Sequence, residues 1–349
     1  MRFVARTSLR ETILRVAVLA RSPGPLLAEW LPDAAAVYPA PDELRPISKG
    51  ALADAGPSVV ALPEQSNISS ERCPDMAQAP RVAFITGAAR GQGRAHAVRL
   101  AADGSDVIAV DVCADIATIP YPMGTRDDLE ETCRLVKKQG RRASLQVADV
   151  RELEQLQQAF SAGTAELGVG CADIVIANAG GCAYPSDVDE ARAFRDAVDI
   201  MLVGVWNTIK ATTPALVEAG RPGSVVLTSS TAAVRGFTGG WGGLDGYTAA
   251  KAGILGLLRL FANLLGPKGI RVNAILPTGV DSGMTRNRAF VDWIGTVADN
   301  PIGNMRNVLP GIDVLQPDDV ANAVAWLVSD EARYISGVCL PVDAGFCNA

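Results

Sequence analysis

Apolar residues along this chain fall into two rhythms. Short unbroken runs occur at Val82-Ala83-Phe84-Ile85, Val107-Ile108-Ala109-Val110, Ile174-Val175-Ile176-Ala177 and Val225-Val226-Leu227, each bounded by polar or glycine-rich residues. Runs this short and this apolar predict strands buried on both faces, as in a parallel sheet. Between them the apolar positions recur at helical spacing: Ala95, Val98, Leu100 and Ala101 in one segment, Leu129, Cys133 and Val136 in the next. Asp127-Asp128 are placed to cap the second of these, over 129–139. Further helices are predicted over 152–167, over 191–211, around Tyr247 and from Pro317 onward. Further strands are predicted at 143–147, 270–277 and 338–342, and the fifth strand at 225–230.

Strands alternating with helices imply an α/β fold. We expect a single Rossmann-type, doubly wound parallel sheet of about seven strands, with helices on both faces and right-handed crossovers. Ligands bind such sheets at the carboxyl ends of the strands, where strand order reverses. The residues expected there carry chemistry. Gly87, Gly91 and Gly93 follow the first strand in GxxxGxG spacing, with Arg90 and Gln92 between them. Glycines permit a tight turn and let backbone N–H groups approach a pyrophosphate at a helix N-terminus. Asp111 ends the second strand, 18 residues past Gly93, where a carboxylate accepts from an adenosine ribose. Asp149-Val150 and Asn178-Ala179-Gly180 close the next two strands on the same side.

Composition narrows the classes. The chain has 349 residues, 48% hydrophobic, with a net charge of −6, which gives a sizeable core and no nucleic-acid footprint. No uninterrupted apolar run reaches the ~20 residues of a membrane span. Seven scattered cysteines and a single histidine indicate neither a disulfide framework nor a metal site, and a reducing cytoplasm is expected. His96, on the first helix, reads as structural. Ten of the 21 prolines fall within residues 1–80. The apolar stretch Val16–Ala20, after the arginines at 2, 6, 10 and 15, is too short for a secretory signal. Residues 1–75 therefore read as a disordered extension, as a small accessory segment or, preferred, as sequence before a natural start at Met76, with one catalytic domain over 76–349.

The fifth strand ends in hydroxyls, Thr228-Ser229-Ser230, and Tyr247 and Lys251 follow in GYTAAKAGILGLLRLFANLL. Spacing of i, i+4 puts the phenol and the ammonium on one helical face. A free tyrosine, with a pKa of about 10, is a poor base at neutral pH. A neighbouring ammonium and an oxidised nicotinamide ring both favour phenolate. Tyr247 is thus suited to take a proton from an alcohol while hydride leaves the carbinol carbon. Ser230, or less favourably Ser229, hydrogen-bonds the same oxygen, and Lys251 also reaches ribose hydroxyls.

These motifs, from about Arg81 to the C-terminus, resemble the short-chain dehydrogenase/reductase family. The phrase Ala88-Ala89-Arg90-Gly91-Gln92-Gly93-Arg94-Ala95-His96-Ala97-Val98-Arg99-Leu100 and the insert Ile119-Pro120-Tyr121-Pro122-Met123 are similar to its mycofactocin-coupled, carveol-dehydrogenase-like subfamily. The resemblance implies oxidation of a secondary, terpenoid-like or other apolar alcohol to a ketone. The insert would lie over a non-exchangeable NAD that a mycofactocin redox peptide re-oxidises, and the assembly would be a homotetramer. It implies an adenine contact for Asp149, with Val112 and Val150 beside the two acids. Pro277, Val280 and Ser282 would meet the nicotinamide. Residues 285–315, with Phe290, Trp293, Ile294, Ile302 and Met305, correspond to a substrate lid. Arg90 suggests NADP and Asp111 suggests NAD; the acid repels a 2′-phosphate, so NAD is expected. Two departures stand out. Met201 occupies the usual position of a relay asparagine, and the Ser230–Tyr247 spacing is long, with 236–243 expected to project beside the substrate. A conventional NAD(P)H-dependent carbonyl or 3-oxoacyl reductase and a catalytically silent NAD-binding protein are the alternatives.

Overall fold

The computed structural model describes residues 80–236, 240–297 and 306–348. The readings of residues 1–75 and of Met76 lie outside them. Strand β1 (Val82–Thr86) leads into α1 (Gly91–Ala102), β2 (Asp106–Asp111), α2 (Arg126–Lys138), β3 (Ala143–Val147), α3 (Leu153–Leu167) and β4 (Ile174–Ala177). The second half runs α4 (Glu190–Val198), a π-helical turn (Asp199–Val203), α5 (Gly204–Glu218), β5 (Gly223–Thr228), α6 (Ala232–Arg235) and α7 (Gly242–Leu265). It closes with β6 (Ile270–Pro277), α8 (Arg288–Val297), α9 (Pro317–Val328) and β7 (Cys339–Val342).

The seven strands form one parallel sheet in the order β3-β2-β1-β4-β5-β6-β7. Alternation along β1 explains why both faces are covered: Ala83 and Ile85 join one apolar cluster with Leu100, Leu129 and Val324, while Val82 and Phe84 join another with Leu156 and Phe160. Helices α1, α2 and α9 therefore cover one face, and α3 lies on the other with α4, α5 and α7. Strand order reverses between β1 and β4, so the crevice opens there.

Several boundaries differ from the sequence reading for local reasons. Helix α2 is capped by Thr125, whose hydroxyl accepts from the Asp128 N–H while the Asp128 carboxylate accepts from Thr125 N–H. The two aspartates are thus first-turn residues and not the cap. Strand β5 ends at Thr228, leaving Ser229 and Ser230 beyond the ladder. The helix expected over 191–211 starts at Glu190, passes through a π-turn around Met201 without leaving helical geometry and runs on to Glu218. Two helical stretches, Glu190–Glu218 and Gly242–Lys268, are long and apolar enough to cross a bilayer. Both pack on the sheet here, burying residues such as Ile209 and Leu258.

His96 is fully buried in α1, and neither ring nitrogen has a hydrogen-bond partner. Burial pushes its pKa down to about 3. An unfolded histidine titrates at about 6.5, so below that pH the unfolded chain binds a proton that the native fold refuses. Stability is therefore full above about pH 6.5 and falls by about 1.4 kcal/mol per unit as pH drops through this window. Urea unfolding at pH 7 and pH 5 is expected to show a loss of about 2 kcal/mol from this group, absent in His96→Leu. Equal losses in both proteins would exclude His96 as the source.

Candidate active site

The turn after β1 is shaped by two close approaches. Gly87 has φ +68°, and a Cβ on it would lie 2.8 Å from the Ala179 backbone. A Cβ on Gly93 would lie 2.0 Å from the Gly87 carbonyl oxygen, so only glycine lets α1 start this near the strand end. No side chain caps α1, and Gly91, Gln92 and Gly93 line the cleft with their unpaired first-turn N–H groups available to an anion. Asp111 is buried at the tip of β2 and lines the same cleft. Its carboxylate is steadied by N–H bonds from Ala89, at 3.0 Å, and Cys113, at 3.3 Å. Glycine cradle, uncapped helix and oriented carboxylate together fit a dinucleotide.

Asn178 joins three strand ends. Its side-chain amide donates to Thr86 O at 3.1 Å, its backbone N–H donates to Thr86 Oγ1 at 3.1 Å, and its amide oxygen accepts from Thr228 Oγ1 at 3.4 Å. A side chain that both donates and accepts is required there. Ala179, Gly180, Val112 and Val150 also line the cleft. Asp149 does too, but its carboxylate is bound by Arg151 through Nε and Nη2 (2.5–3.0 Å) and the backbone N–H. Against the cost of burial, those bonds hold its pKa below the usual carboxylate value.

Ser230, Tyr247 and Lys251 converge at the other end of this cleft. Ser230 Oγ accepts from Ala232 N–H at 3.1 Å, which turns its proton outward. Ser229 instead spends its hydroxyl on Lys251 O, at 2.8 Å. Lys251 Nζ is buried, donates to Thr228 O at 2.7 Å, and stands 5.7 Å from the centre of the Tyr247 ring. Burial lowers the Lys251 pKa to about 8, leaving the ammonium largely charged at neutral pH. Burial raises the Tyr247 pKa to about 12, with the Ser230 hydrogen bond pulling the other way. The phenol is thus protonated at neutral pH.

Pro277, Val280 and Ser282 border the cleft after β6, and Val280 bridges to Leu315. The wall of the cleft beyond them is aromatic: Tyr184 packs at 5.7 Å against both Phe290 and Trp293, and at 6.2 Å against Tyr121. Phe290, Trp293 and Ile294 of the expected lid line the cleft, while Ile302 and Met305 lie outside the described residues. Tyr184 and Cys182 were not singled out in the sequence; their place a few residues past Asn178-Ala179-Gly180 was the available signal. Of the segment 236–243, Phe237-Thr238-Gly239 lie outside the described residues. Trp241 packs inward on Ala183 and Ala193, contrary to the projection expected for it. Met201 is fully buried in the π-turn, and its sulfur lies 3.6 Å from where a Gly180 Cβ would sit. Its side chain therefore fills the space below the Asn178–Gly180 turn with apolar matter. The cleft has a volume of about 740 Å³.

Residues 87–347 match the family model described as enoyl-(acyl carrier protein) reductase. Over 268 residues the chain is 49% identical to an uncharacterized oxidoreductase of Mycobacterium tuberculosis, covering 77% of this chain and 96% of that one. It is 42% identical over 275 residues to a (-)-trans-carveol dehydrogenase of Rhodococcus erythropolis, covering 76% and 96% respectively. A carveol dehydrogenase of Mycobacterium avium, solved in complex with NAD, matches with a TM-score of 0.70 at 43% identity, over 77% of this chain and 98% of that one. With its sheet order, its glycine turn and these matches across the described fold, the chain belongs to the short-chain dehydrogenase/reductase family.

Proposed function

We propose that this protein is an NAD-dependent alcohol dehydrogenase that oxidises an apolar, terpenoid-like secondary alcohol to a ketone. The convergence of Ser230, Tyr247 and Lys251 on an aromatic-walled cleft carries this reading. Likeness to proteins named carveol dehydrogenase, one of them solved with NAD, supports it. Gly87, Gly91, Gln92, Gly93 and Asp111 hold the phosphate and adenosine end, with Arg90 at its rim and Asp149, Val150 and Asn178-Ala179-Gly180 flanking it. Asp111 selects NAD over NADP because its carboxylate repels a 2′-phosphate. When bound, NAD supplies the acceptor for the carbinol hydride and a positive ring charge beside Tyr247.

The chain's own residues handle the proton. Ser230, oriented by Ala232 N–H, donates to the substrate oxygen and fixes its position beside Tyr247. Tyr247 takes the alcohol proton, and Lys251 stabilises the phenolate electrostatically while anchored to Thr228 O. Ser229 is committed to Lys251 O and takes no part. In the reductive direction Tyr247 donates instead. Oxidation therefore speeds up and ketone reduction slows down as pH rises, since the first needs phenolate and the second phenol. Tyr121, Tyr184, Phe290 and Trp293 exclude water and favour a cyclic apolar substrate.

The strap over residues 112–125 supports NAD that stays bound through turnover, with a mycofactocin redox peptide as its re-oxidant. A conventional reductase with exchangeable NAD(P)H is the second reading, favoured by the solvent-facing contact that closes this strap. Six free cysteines among the described residues suit a reducing cytoplasm. Association into a homotetramer is supported by an apolar strip on α5 and α7, where Trp206, Leu260 (53% exposed) and Leu264 (60% exposed) face outward.

Tyr247→Phe is expected to lower turnover by at least about 100-fold while leaving NAD content unchanged; unaltered turnover would remove Tyr247 from the chemistry. Protein purified without nucleotide and dialysed should release near-stoichiometric NAD on denaturation and turn over a terpene alcohol with an artificial acceptor but not with added NAD. Empty protein that turns over with free NAD or NADP would establish the exchangeable reading. Leu260→Asp should shift the light-scattering mass from tetramer toward smaller species; an unchanged mass would place the interface elsewhere.

A further inference from the structure

Residues 112–125 leave β2, cross the cleft and enter α2, and the ties along this strap differ in kind. On its inner side they are sheltered. Cys182 N–H donates to Tyr121 Oη at 2.9 Å, and Thr118 Oγ1 donates to Asp196 at 2.8 Å. Ile119 occupies the space of a missing side chain on Gly181, where a Cβ would come within 2.4 Å of it. On its outer side the tie faces solvent: Arg90 Nη2 donates to Pro122 O at 2.6 Å. The same guanidinium rests on Gly283, where a Cβ would stand 2.9 Å from Cζ and from Nη1. One side chain therefore joins three parts of the rim: the glycine turn, the strap and the segment after β6. It does so beside the α1 N-terminus, where the pyrophosphate is expected to lie.

We propose that Arg90 is the clasp of this cleft, and that parting it from Pro122 and Gly283 limits the rate at which a dinucleotide enters and leaves. The proposal rests on the reading of the cleft as an NAD site. Its physical content lies in where the contacts are made. The contacts of Arg90 to Pro122 and Gly283 join parts of the protein to each other and not to the dinucleotide, so breaking them lowers the barrier to entry and to exit alike. A residue that held the pyrophosphate alone would act only on the bound state, slowing exit without slowing entry. The sheltered bonds of Tyr121 and Thr118 make the hinge side, and the exposed bond of Arg90, with which water competes, makes the side that opens.

The test uses full-length enzyme freed of nucleotide on charcoal, with NADH binding followed by stopped-flow fluorescence and its displacement by excess NAD followed by fluorescence out to hours. Arg90→Met is expected to raise both the association and the dissociation rate by about tenfold or more, the scale of one charge-assisted hydrogen bond. The dissociation constant should stay within about threefold. Gly283→Ala keeps the charge but obstructs the guanidinium's seat, and should move both rates in the same direction. Faster dissociation with unchanged association would overturn the proposal and make Arg90 a pyrophosphate contact. Unchanged rates in both variants would overturn it as well. A wild-type protein that binds no NADH would sink the NAD reading itself, and the clasp with it.

Discussion

The approach of α1 to the end of β1 is the constraint on which the rest of the cleft depends. With no atom to spare between Gly93 and the Gly87 carbonyl, the helix starts against the strand tip and directs its uncapped N–H groups into the crevice. Any side chain at Gly93 would push the helix outward and carry the anion site with it. The neighbouring elements are referenced to the same point. Asn178 ties the ends of β1, β4 and β5 together around Gly87, and Asp111 is held by the Ala89 N–H of the same turn. A rigid phosphate end thus sets the position of everything that meets the other half of the ligand.

The end of the cleft that holds Ser230, Tyr247 and Lys251 is built differently, by burial. Lys251 and Tyr247 sit where water is scarce, so each is pushed toward its neutral form: the lysine down to about 8 and the tyrosine up to about 12. Desolvation alone would leave a poor base. What compensates is the Thr228 carbonyl, which holds the ammonium in place, and Ser230, whose hydroxyl is aimed by the start of α6. Met201 adds an apolar floor beneath the Asn178–Gly180 turn and removes a polar group from that side.

Much of this was legible in the order of residues. Buried strands announce themselves as short apolar runs because both faces are covered, and the glycines, acids and hydroxyls stand at strand ends because the parallel sheet puts every such end on one side. Tyr247 and Lys251 share a face by helical period alone. Local competition was less legible: Thr125 took the cap expected of Asp127-Asp128 because its hydroxyl reaches the third N–H of the helix, and the π-turn at Met201 inserts a residue that no periodicity marks.

What the sequence determined by itself was therefore the sheet, the glycine turn, the acid at Asp111 and the Ser230–Tyr247–Lys251 set, since each depends on neighbours a few residues away or on strand ends. What only the tertiary structure decided were contacts between segments far apart in the chain. Tyr121 finds Cys182 N–H, Asn178 meets Thr86, and Arg90 spans from Pro122 to Gly283. Such contacts depend on the path that loops take over a finished sheet. A loop's path is set by packing against many elements at once, so no local pattern encodes it.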